Sequence, residues 1–160
     1  MELPSCGQLE PALPDDLSVV AIVVVVSTWR RYGRQRNRSD MEICKTFRVD
    51  AAHRLTGVPS THLCSRLHGH SFRVDICVAG DVREDPGWVM DFATVKEAFL
   101  PLYEQLDHRY LNEIKGLENP TCENIAKWIW TRLKPKLPEL SKVGVAESPD
   151  SSCLYCGPKD

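Results

Sequence analysis

From Met41 onward, apolar and polar residues alternate with a period of two in two stretches. Ile43, Phe47, Val49 and Ala51 share one parity. Phe72, Val74, Ile76 and Val78 do the same further on, with Arg73 and Asp75 on the opposite side. This alternation predicts two half-buried strands, joined by a long loop, residues 54–67, that contains Gly57 and Pro59. After Asp85-Pro86-Gly87, a turn signal, the period lengthens. Asp91 can cap a helix carrying Phe92, Val95, Phe99, Leu102 and Leu106 on one side. Pro101 lies inside that pattern and predicts a kink or an early end. Asn119-Pro120 reads as an N-cap followed by proline at the first helical position. The helix it opens has Ile125, Trp128, Ile129 and Leu133 as apolar positions, and Pro135 and Pro138 stop it. Val143 and Val145 suggest a third strand, and Cys153 to Tyr155 a short fourth. The order strand, strand, helix, helix, strand, strand is that of an α+β domain with a mainly antiparallel sheet.

Residues 1–40 follow a different pattern. Residues 1–16 carry three prolines and four acids without periodicity; Leu17 to Val26 is an apolar, valine-rich run, followed by Arg30, Arg31, Arg34, Arg36 and Arg38. The run is shorter than the roughly 20 apolar residues a spanning helix needs. Its basic charge follows the apolar stretch, the reverse of a secretory signal, and its acids argue against a transit peptide. The expectation is an extension that is disordered or not part of the folded domain, with the domain itself at 41–160. A membrane-surface anchor, with the arginines against anionic lipid, is the competing reading.

Composition narrows the class. The chain has 160 residues, 42% of them hydrophobic, and 20 Lys+Arg against 22 Asp+Glu for a net charge of −2. That suits one globular domain and gives no electrostatic reason to expect nucleic acid as a partner. Seven scattered cysteines, an odd number, read most simply as reduced thiols in a cytoplasmic protein. The lone C-x-x-C of Cys153 and Cys156 lacks the second pair a structural zinc site would need, and Cys153 reads as a buried strand residue.

His68-Gly69-His70 changes the picture. In an extended segment the two imidazoles fall on the same side, and Gly69 removes bulk from the other. His53 ends the first strand, which can lie beside the second and deliver a third ligand. Three neutral imidazoles with an open fourth position make a catalytic zinc site rather than a closed structural one. His62, in the loop, is a lesser candidate ligand.

Cys64, four residues before His68, is either a buried structural thiol or a thiolate activated near zinc and Arg66 for proton abstraction. Asp107-His108 follows the first helix; it is either a helix-end cap or an acid that orients a histidine for proton transfer. Glu123, in the first turn of the second helix, complements the macrodipole. Glu147 closes an apolar strand, where a carboxylate needs a partner; a guanidine-like N–H pair on a ligand would serve.

Four segments, A-A-H-R-L at Ala51 to Leu55, C-S-R-L-H-G-H at Cys64 to His70, L-D-H-R-Y-L-N at Leu106 to Asn112 and E-N-P-T-C-E-N at Glu118 to Asn124, resemble the 6-pyruvoyltetrahydropterin synthase superfamily. The spacing C-x-x-x-H-G-H is similar to its 6-carboxy-5,6,7,8-tetrahydropterin synthase branch, which serves queuosine (7-deazaguanine) biosynthesis; the pyruvoyl branch has a longer spacing. The resemblance covers residues 41 to about 157.

It implies the tunnelling fold, a four-stranded antiparallel sheet with two helices on one face, and subunits assembled as trimers stacked into a homohexamer with active sites at subunit interfaces. It implies zinc on His53, His68 and His70, Cys64 as general base, and Asp107 with His108 as a second proton-transfer pair. Glu147 would grip the pterin's guanidine-like edge, with Thr121 and Glu123 lining the same pocket. The implied reaction converts 7,8-dihydroneopterin triphosphate to 6-carboxy-5,6,7,8-tetrahydropterin with release of acetaldehyde and triphosphate. Ser148 stands where the family commonly has threonine. The alternatives are triphosphate elimination by the pyruvoyl branch, in tetrahydrobiopterin biosynthesis, and a non-catalytic zinc-stabilised binding domain. The last would have no need of Cys64, Asp107, His108 and Glu147 together.

Overall fold

The computed structural model describes residues 41–159; the apolar run and arginine cluster of residues 1–40 lie outside them. Strand β1 (Met41–His53) turns through the long loop into β2 (His68–Gly80). Helix α1 (Phe92–Leu106), helix α2 (Cys122–Leu133), strand β3 (Leu140–Ser148) and strand β4 (Ser151–Tyr155) follow. Short 3-10 turns sit at Leu63–Ser65 and Leu111–Glu113. The sheet has the order β1-β2-β3-β4 and every neighbouring pair is antiparallel, as the alternation and the resemblance both implied.

The apolar parities define the buried face. Val49 of β1, Phe72, Val74, Ile76 and Val78 of β2, and Val143 and Val145 of β3 are buried together with Val95, Phe99, Leu102 and Leu106 of α1 and Ile125, Trp128, Ile129 and Leu133 of α2. Burying each large side chain contributes about 2–3 kcal/mol, and all of them come from one side of the sheet. The other side carries Thr46, whose hydroxyl donates to Asp75 at 2.6 Å, and Arg48, which pairs with Asp50 at 3.1 Å.

Four expectations need correction. Helix α1 does not end at Pro101 but runs to Leu106. Proline forfeits one backbone donor, and the burial of Phe99, Leu102 and Leu106 around it outweighs that loss. Phe92, expected on the buried stripe, is 48% exposed at the first turn, with the Lys45 ammonium 5.7 Å from its ring centroid. The N-cap of α2 is Thr121, not Asn119: its hydroxyl accepts from the Asn124 amide at 3.3 Å. Asn119 is engaged elsewhere, its Oδ1 accepting from the Thr56 amide at 2.8 Å.

The fourth correction concerns the thiols. Cys44 and Cys77 are direct register partners on β1 and β2 and form a disulfide. A scattered cysteine count cannot reveal such a pair, because only strand register puts positions 33 apart face to face. Cys153 lies half-buried on β4 and Cys156 is exposed beyond it; both are free. Among the described residues, no helix is long and apolar enough to cross a membrane.

Candidate metal centre and the site around it

The last register pair of β1 and β2 is His53 with His68, and two pairs inward Ala51 faces His70. Alternation then points all three imidazoles to the helix-bearing face at one end of the sheet. Their ring centroids lie 4.5 to 5.1 Å apart, and one ligand nitrogen from each falls within 4.8 Å of the others. Gly69 allows the close approach of the strands: a Cβ there would stand 3.1 Å from the Ala51 carbonyl oxygen.

Backbone carbonyls orient two of the rings. His53 Nδ1 donates to the Pro120 carbonyl at 2.8 Å, and His68 Nδ1 donates to the Arg66 carbonyl at 2.8 Å. A carbonyl only accepts, so each Nδ1 carries a proton and each Nε2 is the nitrogen left to serve as a ligand. His53 is 1% exposed, and its Nε2 is a buried polar atom without a hydrogen-bond partner. Burial, foremost, holds the His53 imidazole below its usual value, so the ring is neutral near pH 7. An orphaned, neutral, buried imidazole nitrogen beside two others fits a divalent cation of intermediate softness with a fourth position open. His62 is not in this group.

The chain leaving His53 is clamped by two asparagines from the quoted motifs. Asn112 accepts from the Arg54 amide at 2.9 Å and donates to the Arg54 carbonyl at 2.8 Å, while Asn119 accepts from Thr56. In the sequence Asn112 carries no assigned role and Asn119 reads only as a helix cap. Their signal was their polarity beside an apolar helix, which says nothing about what they hold.

Glu147 shares the face of the histidines. Val145 pairs with Val74; Glu147 follows two residues on, at a register shift between Ala146 and Ser148, and its action on His53, not alternation alone, puts it on that face. Its charge acts on His53 and on Cys122, the first residue of α2. Burial, first, and the adjacent carboxylate push the Cys122 thiol far up, so it remains S–H and donates to Glu147. Glu123 is held below the usual carboxylate range by its own amide and by the Thr121 hydroxyl, as a helix N-terminus favours. Thr121, Cys122 and Glu123 are thus beside the centre because Pro120, just before them, receives His53.

Asp107 and His108 are a pair in contact. His108 Nδ1 lies 2.8 Å from Asp107 Oδ2. The segment after α1 runs along the free edge of β1: His108 N donates to the Asp50 carbonyl at 2.7 Å, Ala52 N to the Arg109 carbonyl at 3.0 Å. His108 takes φ 55, a left-handed conformation held by these bonds. For Asp107, burial alone would raise the carboxyl, but bonds from the Asp50 amide, His108 and the Tyr103 hydroxyl together hold it low. The hydrogen bond to Asp107 raises His108. His108 and His70 line one pocket of about 630 Å³ with Asp50, Gly69, Ser71 and Tyr110. Cys64 and Glu147 do not line it. Within one chain the structure therefore assembles His53, His68, His70 and Glu147 at one face, and Asp107 with His108 at the adjacent edge. Cys64 stands on the 3-10 turn of the loop, partly buried and free.

A tunnelling-fold α+β domain with a three-histidine centre at the end of its first hairpin is the class that this architecture defines. The chain belongs to the 6-pyruvoyl tetrahydropterin synthase family, whose model matches residues 42–158. It is 42% identical over 123 residues to a Synechocystis 6-carboxy-5,6,7,8-tetrahydropterin synthase, covering 73% of this chain and 94% of the relative. A dihydroneopterin monophosphate aldolase of Pyrococcus furiosus is 44% identical over 72 residues, 45% of this chain and 60% of that protein. Among solved structures, the 6-pyruvoyl tetrahydropterin synthase of Caenorhabditis elegans superposes with a TM-score of 0.69 at 24% identity, over 77% of this chain and all of that one. That likeness speaks for the fold.

Proposed function

We propose that this protein is a zinc-dependent carbon–carbon lyase. In the cytoplasm it converts 7,8-dihydroneopterin triphosphate and water to 6-carboxy-5,6,7,8-tetrahydropterin with release of acetaldehyde and triphosphate, as a step of queuosine (7-deazaguanine) biosynthesis. The observation that carries the metal is the buried, unpartnered Nε2 of His53 within 4.8 Å of ligand atoms of His68 and His70. The carboxy outcome is supported by Cys64 standing four residues before His68 and by the naming of the 42% identical relative.

Zinc on His53, His68 and His70 supplies Lewis acidity and a template for the substrate's side-chain hydroxyls. The residues do the rest. Cys64 removes a proton from the side chain. His108, fixed at Nδ1 by Asp107, offers Nε2 as the second proton-transfer atom. Glu147 accepts from the pterin's N–H pair, with Cys122 S–H holding the carboxylate and Thr121 and Glu123 forming the pocket's rim. The exposed Asp107–His108 edge suits an active site completed at a subunit interface, in keeping with a homohexamer built as a dimer of trimers. Residues 41–160 carry the activity, so a chain beginning at Met41 turns over as the full chain does.

Incubating the zinc-loaded protein with dihydroneopterin triphosphate and weighing the products tests this. Carboxytetrahydropterin with acetaldehyde supports it. A product that keeps the three-carbon side chain establishes the pyruvoyl reaction instead, and unchanged substrate refutes both.

A further inference from the structure

We propose that His62, outside the metal-ligand set, is a positioning residue for Cys64. The inference rests on the proton-transfer reading of Cys64 given above, and it begins from the tautomer of His62. His53 and His68 donate from Nδ1 to carbonyls. His62 does the opposite: its Nδ1 accepts from the backbone amide of Cys64 at 3.1 Å. An amide only donates, so His62 is neutral at Nδ1 and carries its proton on Nε2.

This makes His62 the N-cap of the 3-10 turn Leu63–Ser65, with φ −71 and ψ 137. Caps are ordinarily Asn, Asp, Ser or Thr, and Nδ1 of histidine stands where Oδ1 of an asparagine would. A three-residue turn with no buried residue cannot hold itself by packing. Both backbone polar groups of Cys64 are therefore taken from outside the residue: His62 receives its N–H, and the Leu55 amide donates to its carbonyl at 2.7 Å. Leu55 is two residues beyond the ligand His53. The same turn continues to the second ligand, since Arg66 N donates to the Leu63 carbonyl at 3.2 Å and the Arg66 carbonyl receives His68 Nδ1. Removing the ring of His62 opens one side of the bracket around Cys64 and leaves His68 held by its strand. The thiol then samples more directions, while the pocket that binds the substrate is unchanged.

The test compares His62→Ala, His62→Asn and Cys64→Ala in the zinc-loaded full chain. In His62→Ala, kcat falls about tenfold with KM nearly constant, and hydrogen exchange at the Cys64 amide quickens by a similar factor, the size expected for a lost cap. His62→Asn, which keeps an acceptor in place of Nδ1, restores both. Wild-type exchange and kcat in His62→Ala overturn the proposal, as does an asparagine variant no better than alanine. If Cys64→Ala turns over normally, the catalytic reading of Cys64 fails; the amide exchange of the two His62 variants still decides whether His62 holds the turn.

Discussion

His53 Nδ1 and the carbonyl oxygen of Pro120 lie 2.8 Å apart, 67 residues from one another in the chain. This single bond ties the end of β1 to the start of α2. It fixes the His53 tautomer and brings Thr121, Cys122 and Glu123 beside the candidate metal centre. Orientation of a ligating histidine by its second nitrogen is how such centres set both geometry and basicity.

The first prediction follows from the ligand set. His68→Ala removes one of three donors whose atoms fall within 4.8 Å. Metal analysis of the purified variant should find most of the zinc gone. Full occupancy would take His68 out of the set.

His108 should respond to its partner. The Asp107 carboxylate favours the imidazolium and raises His108 above its usual value. The linkage sign follows: the pair's contribution is present below the ordinary histidine value and fades as pH rises through the raised one. In Asp107→Asn the NMR titration midpoint of His108 should move down. An unmoved midpoint would show the contact at 2.8 Å to be without electrostatic effect.

The Cys44–Cys77 bond closes a 33-residue separation. Limiting the unfolded chain over that length stabilises the fold by about 3–4 kcal/mol in the chain-entropy account. Urea unfolding of the oxidised protein should therefore have a higher midpoint than Cys44→Ala. Equal midpoints, with thiol counting that finds both cysteines reduced, would remove the disulfide from the native protein.

Glu147 offers a carboxylate beside His53 and Cys122. Replacing it by glutamine swaps an acceptor of two N–H bonds for one with an opposing donor. Pterin affinity by calorimetry should weaken by about 2 kcal/mol. An unchanged affinity would place the pterin elsewhere.

Much of this was legible in the chain itself. The parities of Ile43 to Ala51 and Phe72 to Val78 placed the two strands, and the H-G-H spacing alone put His68 and His70 on one face. These are local periodicities, imposed by backbone geometry on neighbouring residues. Most of what tertiary structure decided lies at long separation, and the rest in the path of the loop. Register set His53 opposite His68 and Cys44 opposite Cys77. The acceptors for His53 and His68 are carbonyls of Pro120 and Arg66, which any residue could have supplied and no side-chain pattern announces. Asn119 looked like a cap and became a clamp on Thr56, because its side chain could satisfy a loop amide 63 residues away while Thr121 closed the helix. His62 read in the sequence only as a lesser candidate ligand, and it lies outside the three-histidine group. The fold of the loop made it an acceptor for the Cys64 amide, since a backbone donor in a short turn must find a partner and the ring nitrogen lay within reach.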